Sequence, residues 1–306
     1  MKRVLVTGAS GFIGRHTLPA LALRGFEVHA VSSQPRPSPA GGARWHRADL
    51  LRGADVRQLM DGVQPTHLLH LAWFAVPGQF WTSPENLRWV QASLELLSVF
   101  ESVGGRRLVV AGSCAEYEWS DVDCDEHDTP LRPATLYGTC KHALHLVMEK
   151  FADRRLSTAW GRVFHLYGPH EHPDRLVPSV ICSLLDGRPA LCTPGTQVRD
   201  FLHVADVAGA FVALLDSPVG GAVNIASGTP VSIANLVSTI GRQMGAASLV
   251  RLGARPLPAH EQPRLTARVA RLRDEVGWTP TISLESGLEQ TTEWWRSARS
   301  RHETDA

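Results

Sequence analysis

Apolar and polar positions along this chain follow two recurring patterns. Val4-Leu5-Val6 and the segments Glu27–Ser32, Ala43–Ala48, His67–Ala72 and Arg107–Ala111 are short and mostly apolar, as parallel strands buried on both faces are. Between them, apolar residues recur at helical spacing: Leu18, Leu21 and Ala22 within residues 15–24, and Leu87, Val90, Leu94 and Leu97 within Glu85–Ser102. These predict helices, with a further one over Arg52–Asp61 and glycine stops at Gly25 and Gly104-Gly105. Strand and helix in alternation predict an α/β fold with a doubly wound, mostly parallel sheet.

The first strand-to-helix junction carries the strongest chemical signal, Thr7-Gly8-Ala9-Ser10-Gly11-Phe12-Ile13-Gly14. Gly8 permits a tight turn, Gly11 lets the main chain approach a bulky anion, and Gly14 lets the helix lie close to the strand. Amides of the helix's first turn then face a diphosphate, making Gly8, Ser10, Gly11, Phe12 and Ile13 the expected dinucleotide contacts. The end of the second strand selects the cofactor. Ser32, Ser33, Gln34 and Arg36 stand there instead of an Asp or Glu. Hydroxyls and a guanidinium suit a 2′-phosphate that a carboxylate repels, which favours NADP, with NAD as the alternative. Pro35, Pro37 and Pro39 in the same stretch fit a solvent loop equally well. Asp49, beside Leu50, either meets the adenine or caps the next helix, and Leu71, Ala72 and Trp73 complete the expected cofactor contacts.

Charge and cysteine content narrow the classes. Thirty-one Lys and Arg against 30 Asp and Glu give a net charge of +1, which predicts neither nucleic acid nor an anionic membrane as partner. No apolar run reaches the roughly 18 residues of a membrane span, and the opening apolar segment is too short for a signal peptide, so a cytoplasmic location is expected. Cys114, Cys124, Cys140, Cys182 and Cys192 are odd in number and lack metal-ligand spacing, which reads as reduced thiols.

A second chemical signal lies in Tyr137-Gly138-Thr139-Cys140-Lys141, where a phenol and an ammonium share one helix face. A tyrosine titrating near pH 10 carries protons poorly at neutral pH, and an adjacent cation favours its phenolate. Ser113, ending the fifth strand, is placed to hold a substrate carbonyl beside Tyr137. Ser113, Tyr137 and Lys141 are therefore the expected catalytic residues. The loop after the fourth strand carries Trp73, Phe74, Phe80 and Trp81, which either wall a substrate pocket or pack as core.

Together the glycine turn, Ser113 and the Tyr137/Lys141 pair resemble the extended short-chain dehydrogenase/reductases, in particular the nucleotide-sugar epimerase/dehydratase/ketoreductase group. The resemblance runs over almost the whole chain, through Arg162-Val163-Phe164-His165-Leu166-Tyr167-Gly168-Pro169, the Arg199-Asp200-Phe201 segment, Asn224-Ile225-Ala226-Ser227-Gly228 and Val276-Gly277-Trp278-Thr279-Pro280. It implies a Rossmann domain over residues 1–168, to which segments near 200–225 return, and a smaller mixed α/β substrate domain over 169–306. It also implies a nucleotide-sugar substrate held by Trp73, Cys114, Glu116, His165, Arg175 and Arg199, with Arg199 on the diphosphate. A homodimer through the helices matching Glu85–Ser102 and Tyr137–Ala152 is implied as well.

Three departures qualify this. Ala115 stands where related 4,6-dehydratases place an acid, which disfavours water elimination; His165 and Trp89 stand where relatives usually carry Asn. Other signals have ordinary readings. His170-Glu171-His172 is set aside as a solvated loop with no metal, as are His142 and His145 as packing residues. The acidic run Asp121, Asp123, Asp125, Glu126 and Asp128 lacks a calcium loop's Gly and terminal Glu and reads as a solvated lid. Arg264, Arg268, Arg271 and Arg273 read as a charged helix face.

The preferred expectation is NADPH-dependent reduction of a nucleotide-activated 4-keto-6-deoxy sugar. A nucleotide-sugar 4-epimerase with tightly bound NAD is the alternative, and a non-catalytic NADP-sensing regulator or a reductase of a non-nucleotide ketone are further ones.

Overall fold

Strand β1 (Arg3–Thr7) lies at the centre of a seven-stranded sheet completed by β2 (Glu27–Ser32), β3 (Arg44–Arg47), β4 (His67–His70), β5 (Arg107–Ser113), β6 (Ser157–Val163) and, from far along the chain, β10 (Gly221–Ile225). The computed structural model describes residues 2–34, 42–151, 156–258 and 261–304; Arg36, the prolines beside it and Ala152 lie outside these. The sheet order is β10-β6-β5-β4-β1-β2-β3, and every adjacent pair is parallel.

Parallel strands need crossovers, and the helices that provide them cover both faces. Helices α1 (Gly14–Leu23) and α6 (Val204–Asp216) pack on one face; α2 (Gly53–Val63), α3 (Glu85–Ser102) and α4 (Leu136–Phe151) pack on the other. The strands divide residue by residue between the two layers. In β1, Val4 and Val6 join Leu18, Leu21 and Phe211 on one side, while Leu5 joins Val56, Leu96 and Phe100 on the other. Strand order reverses at β1 and β4, which places a crevice beyond their carboxyl ends.

The remaining chain builds a smaller mixed sheet around β9 (Val198–His203). This strand runs parallel to β7 (His165–Tyr167) and β13 (Arg264–Leu265) and antiparallel to β11 (Pro230–Ser232). Short strands β8 (Ala190–Leu191) and β12 (Val250–Arg251) pair beside it. Helices α5 (Leu176–Leu185), α7 (Ile233–Gln243) and α8 (Leu284–Thr304) enclose a separate core of Ile181, Leu236, Val237, Ile240 and Leu288. Two carboxylates stitch the connecting turns. Asp200 accepts from Ser227 N, Ser227 Oγ and Gly228 N at 2.6–2.8 Å, and Asp206 accepts from Thr281 and Ile282.

The acidic run is not the solvated lid expected from its composition. Asp123 accepts from Arg264 and Thr266, Asp125 closes its own turn through the His127 and Asp128 amides, and the Glu126 carboxylate accepts from Asn224 N at 2.8 Å. Cys124 bridges to Ala267. Arginines of the 264–271 stretch thus hold the segment down by charge rather than lining a free face. No helix among the described residues is long and apolar enough to cross a membrane.

Helix α1 lies so close to the end of β1 that a Cβ on Gly14 would collide with Gly8 O and sit 2.7 Å from Ala9 Cα. Both neighbours are backbone and cannot rotate aside. Gly14→Ala is therefore expected to lower stability by about 1–3 kcal/mol in urea unfolding, toward the upper end.

Candidate active site

The site begins with a charge in the middle of an apolar strand. Arg162 in β6 is fully shielded from solvent, so its guanidinium needs a partner. Glu116 supplies it from the single 3-10 turn, Cys114–Glu116, that follows β5: its carboxylate accepts from Arg162 Nε at 3.0 Å, Trp160 Nε1 at 2.8 Å and Ser113 N at 2.7 Å. Arg162 also donates to Tyr117 Oη, which donates in turn to Asn224 Oδ1, and reaches His145 Nδ1 at 3.3 Å. Glu116, expected on the substrate, is thus wholly buried beneath the site. Glu116, His142 and His145 offer ligand atoms within 4.8 Å of one another, but the arginine already on that carboxylate repels a cation.

This network fixes the end of β5. Ser113 caps the turn, its Oγ accepting from Ala115 N, and two glycines allow the tight fit. A Cβ on Gly112 would strike Trp160 and lie 2.7 Å from Glu116 Oε1; one on Gly138 would strike Ala115 O. Gly138 is how the first turn of α4 reaches the end of β5, bringing Tyr137 to Ser113. The Ser113 hydroxyl hydrogen-bonds the Tyr137 phenol and opposes the burial that drives its pKa up.

Tyr137 and Lys141 share a helix face, yet their side chains have different environments. Tyr137 N donates to Trp81 O at 3.1 Å, and its ring packs edge-on against Phe80 and Trp81 at 4.9 and 5.8 Å. Lys141 Nζ donates to Ala111 O at 2.8 Å and lies 3.7 Å from the centroid of the Trp73 ring. Burial pulls the Lys141 pKa down to about 7, against the opposing charge of Glu116. The aromatic loop therefore rests directly on the two expected proton-transfer residues.

On the cofactor side, the glycine turn has the geometry its spacing predicts. Gly8 has φ of +65°, and a Cβ there would lie 2.7 Å from Ala72 N. Ser10, Phe12 and Ile13 line the turn, and the N-terminus of α1 has no side-chain cap. The uncapped helix end and a turn that a Cβ would fill fit an anionic diphosphate. Thr7 Oγ1 accepts from the Leu71 and Ala72 amides and pairs with His70 Nδ1 at 2.6 Å, fixing the wall opposite.

Beyond β3, Leu50 buries its side chain in the core, and Asp49 Oδ1 accepts from Leu51 N in the turn before α2, whose N-cap Arg52 makes no side-chain cap bond. At the end of β2, Ser32 Oγ accepts from Gln34 N while Ser33 is exposed.

Four residues expected on the substrate converge beyond β5 and β6. Cys114 is driven to a pKa of about 12 by burial. His165 is held neutral, its pKa lowered to about 3 by burial and by Arg199 and Arg175, with Nδ1 buried and unpaired. Arg175 lies 5.3 Å from the centroid of the Phe80 ring, and its charge favours the Tyr137 phenolate. Arg199 pairs with Glu261 and donates to Gln262 O and Val198 O, and its charge acts on Cys114 and His165.

Sequence reasoning missed Glu171. It was set aside in a solvated loop, but it is 8% exposed, and burial raises its pKa to about 8 against the charge of Arg175. A carboxyl that binds its proton more tightly folded than unfolded stabilises the fold fully below its unfolded pKa. That contribution disappears as pH rises through about 8. Glu171→Gln should flatten the decline in stability between pH 4.5 and 8.5, matching the parent in urea unfolding at the acid end and exceeding it at the alkaline end.

Comparison with known proteins agrees with this geometry. Residues 4–226 match the NAD dependent epimerase/dehydratase family. A UDP-glucose 4-epimerase of Streptomyces lividans is 27% identical over 327 aligned positions, covering 96% of each chain. A dTDP-4-dehydro-6-deoxy-D-allose reductase of Streptomyces sp is 28% identical with the same coverage of both. Among solved structures, MoeE5 in complex with UDP-glucuronic acid and NAD superposes with a TM-score of 0.85 at 33% identity, over 97% of this chain and 99% of that one. The glycine turn at the sheet's reversal, the strand-end serine and the Tyr137/Lys141 helix face thus come together in one enzyme, and the chain belongs to the NAD-dependent epimerase/dehydratase family.

Proposed function

We propose that the protein is a nucleotide-sugar 4-epimerase whose sugar carries a carboxylate at C6. Arg175 carries this reading. Its guanidinium lies over the Phe80 ring, 5.3 Å from the centroid, and its charge acts on both Tyr137 and His165. With the Tyr137 phenol on the oxygen at C4, the nearest anion a hexose can present is a carboxylate at C6, one carbon beyond C5. The diphosphate at C1 lies across the ring. MoeE5, solved with UDP-glucuronic acid and also with UDP-glucose, supports a nucleotide-sugar substrate.

Gly8, Gly11 and the first turn of α1 would hold the cofactor diphosphate, and Lys141 its nicotinamide ribose. A nicotinamide held there would supply reversible hydride transfer at C4, with inversion following when the 4-keto sugar presents its opposite face for the return. Tyr137 accepts the hydroxyl proton as the alcohol is oxidised and gives it back on reduction, with Ser113 holding the oxygen between them. The positive charges of Lys141 and Arg175 favour the phenolate against burial. Ala115 offers no acid to eliminate water.

A second reading, NADPH-dependent reduction of a 4-keto-6-deoxy sugar, is favoured by Ser32 and Ser33 where an NAD site would place a carboxylate, and by the allose reductase relative. It leaves Arg175 without an anion to read. Either reading has a homodimer as its expected assembly.

A panel of nucleotide uronates, neutral nucleotide hexoses and 4-keto-6-deoxy derivatives, with NAD, NADH, NADP and NADPH, separates the two. Epimerisation interconverts C4 isomers, seen by chromatography, without net change in reduced-nicotinamide absorbance, whereas a ketoreductase consumes NADPH. Inactivity toward every uronate would sink the first reading. Tyr137→Phe should lower kcat about 10²–10⁴-fold with nucleotide-sugar binding retained. Arg175→Met should raise KM for the uronate at least about tenfold while leaving that for a neutral hexose nearly unchanged.

A further inference from the structure

The Lys141 ammonium is closed in on the side facing the aromatic loop. Its Nζ donates to Ala111 O at 2.8 Å and lies 3.7 Å from the Trp73 ring centroid, against the electron-rich face. The indole is fixed in place. Trp73 Nε1 donates to Asn86 Oδ1 at 2.9 Å; Asn86 is fully buried and gives its own amide hydrogens to Phe80 O at 2.7 Å and Ser83 O at 2.8 Å. Trp89 packs behind Trp73 with centroids 6.3 Å apart and planes 33° apart, backing the ring that covers the lysine.

We propose that Trp73 is a positioning residue of the proton-transfer unit: its ring face keeps Lys141 cationic and fixed on the face it shares with Tyr137, with Asn86 and Trp89 as its mounts. The inference rests on the proton-transfer role given above to Tyr137 and Lys141. The charged and titratable groups around Lys141 are few. Glu116 acts on it from below, His70 faces it from β4, and Tyr137 lies one turn earlier on its own helix. Glu116 is already paired with Arg162 and His70 is held neutral by burial. Burial, opposed by the charge of Glu116, lowers the Lys141 pKa to about 7, and the ring face at 3.7 Å adds to what holds the proton on the ammonium.

The chain contains three lysines, Lys2, Lys141 and Lys150. Carbon-13 lysine labelling therefore resolves Lys141 by NMR, with Lys141→Met identifying its signal. Tryptophans bearing one to four ring fluorines, installed at position 73, keep the shape of the side chain while draining its face of negative potential. The Lys141 titration midpoint in the ligand-free protein should fall stepwise along that series, by about 1 pH unit in all. A flat series would overturn the proposal. As a second measurement, Trp73→Phe should hold the midpoint nearer the parent value than Trp73→Leu, and equal midpoints in the two would count against it. The readout needs no substrate. A graded fall in a protein inactive on every nucleotide uronate would leave this inference standing and remove the epimerase reading; a flat series in an active epimerase would do the reverse.

Discussion

The buried ion pair between Glu116 and Arg162 is the constraint from which the active site is built. Two charges withdrawn from water are tolerable only when nearly every donor and acceptor finds a partner. Here Ser113 N, Trp160, Tyr117 and His145 supply them. Because one partner sits on the turn after β5 and the other within β6, the pair locks the end of β5 against its neighbouring strand. Ser113 is therefore held by its main chain before any ligand arrives. Gly138 then lets α4 come close enough to set Tyr137 on that serine. The Ser113 and Tyr137 hydroxyls owe their positions to a charge pair that is itself fully buried.

A second layer of control comes from the aromatic loop between β4 and α3. Phe80 and Trp81 pack on Tyr137, Trp73 covers Lys141, and Asn86 ties Trp73 to the main chain at Phe80 and Ser83. One buried amide thus couples the placement of the phenol to that of the ammonium. The loop packs directly on both side chains.

Much of the fold was legible in the sequence because it rests on periodicity. The glycine turn, the alternation of short apolar runs with helical spacings, and the α3 boundaries at Glu85 and Ser102 follow from local pattern, and the structure places them where the pattern does. The juxtaposition of Tyr137 and Lys141 was legible because a spacing of four fixes a helix face. What escaped was decided by distant partners. Glu116 reads as a polar residue beside a catalytic serine, and nothing local shows that Arg162, 46 residues on, claims its carboxylate. The usable signal was Arg162 itself, a charge flanked by Trp160, Val163 and Phe164 in a buried strand. Nothing local shows that Glu261 pairs with Arg199, and the acidic run reads as solvated until the segment at β13 delivers Arg264 and, just after it, Thr266.

The electrostatics of the pair carry the last step. Burial displaces Tyr137 upward and Lys141 downward, each toward its uncharged form. Left to desolvation alone, the site would hold a neutral phenol beside an ammonium on the verge of losing its proton, which is no proton relay. Four features oppose that drift: the Ser113 hydroxyl and the Arg175 guanidinium act on the phenol, and the Glu116 carboxylate and the Trp73 face act on the ammonium. Ser113, Glu116 and Trp73 are fixed parts of the protein. Arg175 is the exception, because an anionic substrate paired with it would reduce its pull on Tyr137. A carboxylate-bearing sugar would therefore weaken one of the phenolate's supports as it binds, and the burden of ionising Tyr137 would pass to Lys141. That makes the charge state of the lysine, and hence the ring that covers it, more consequential in the occupied site than in the free one.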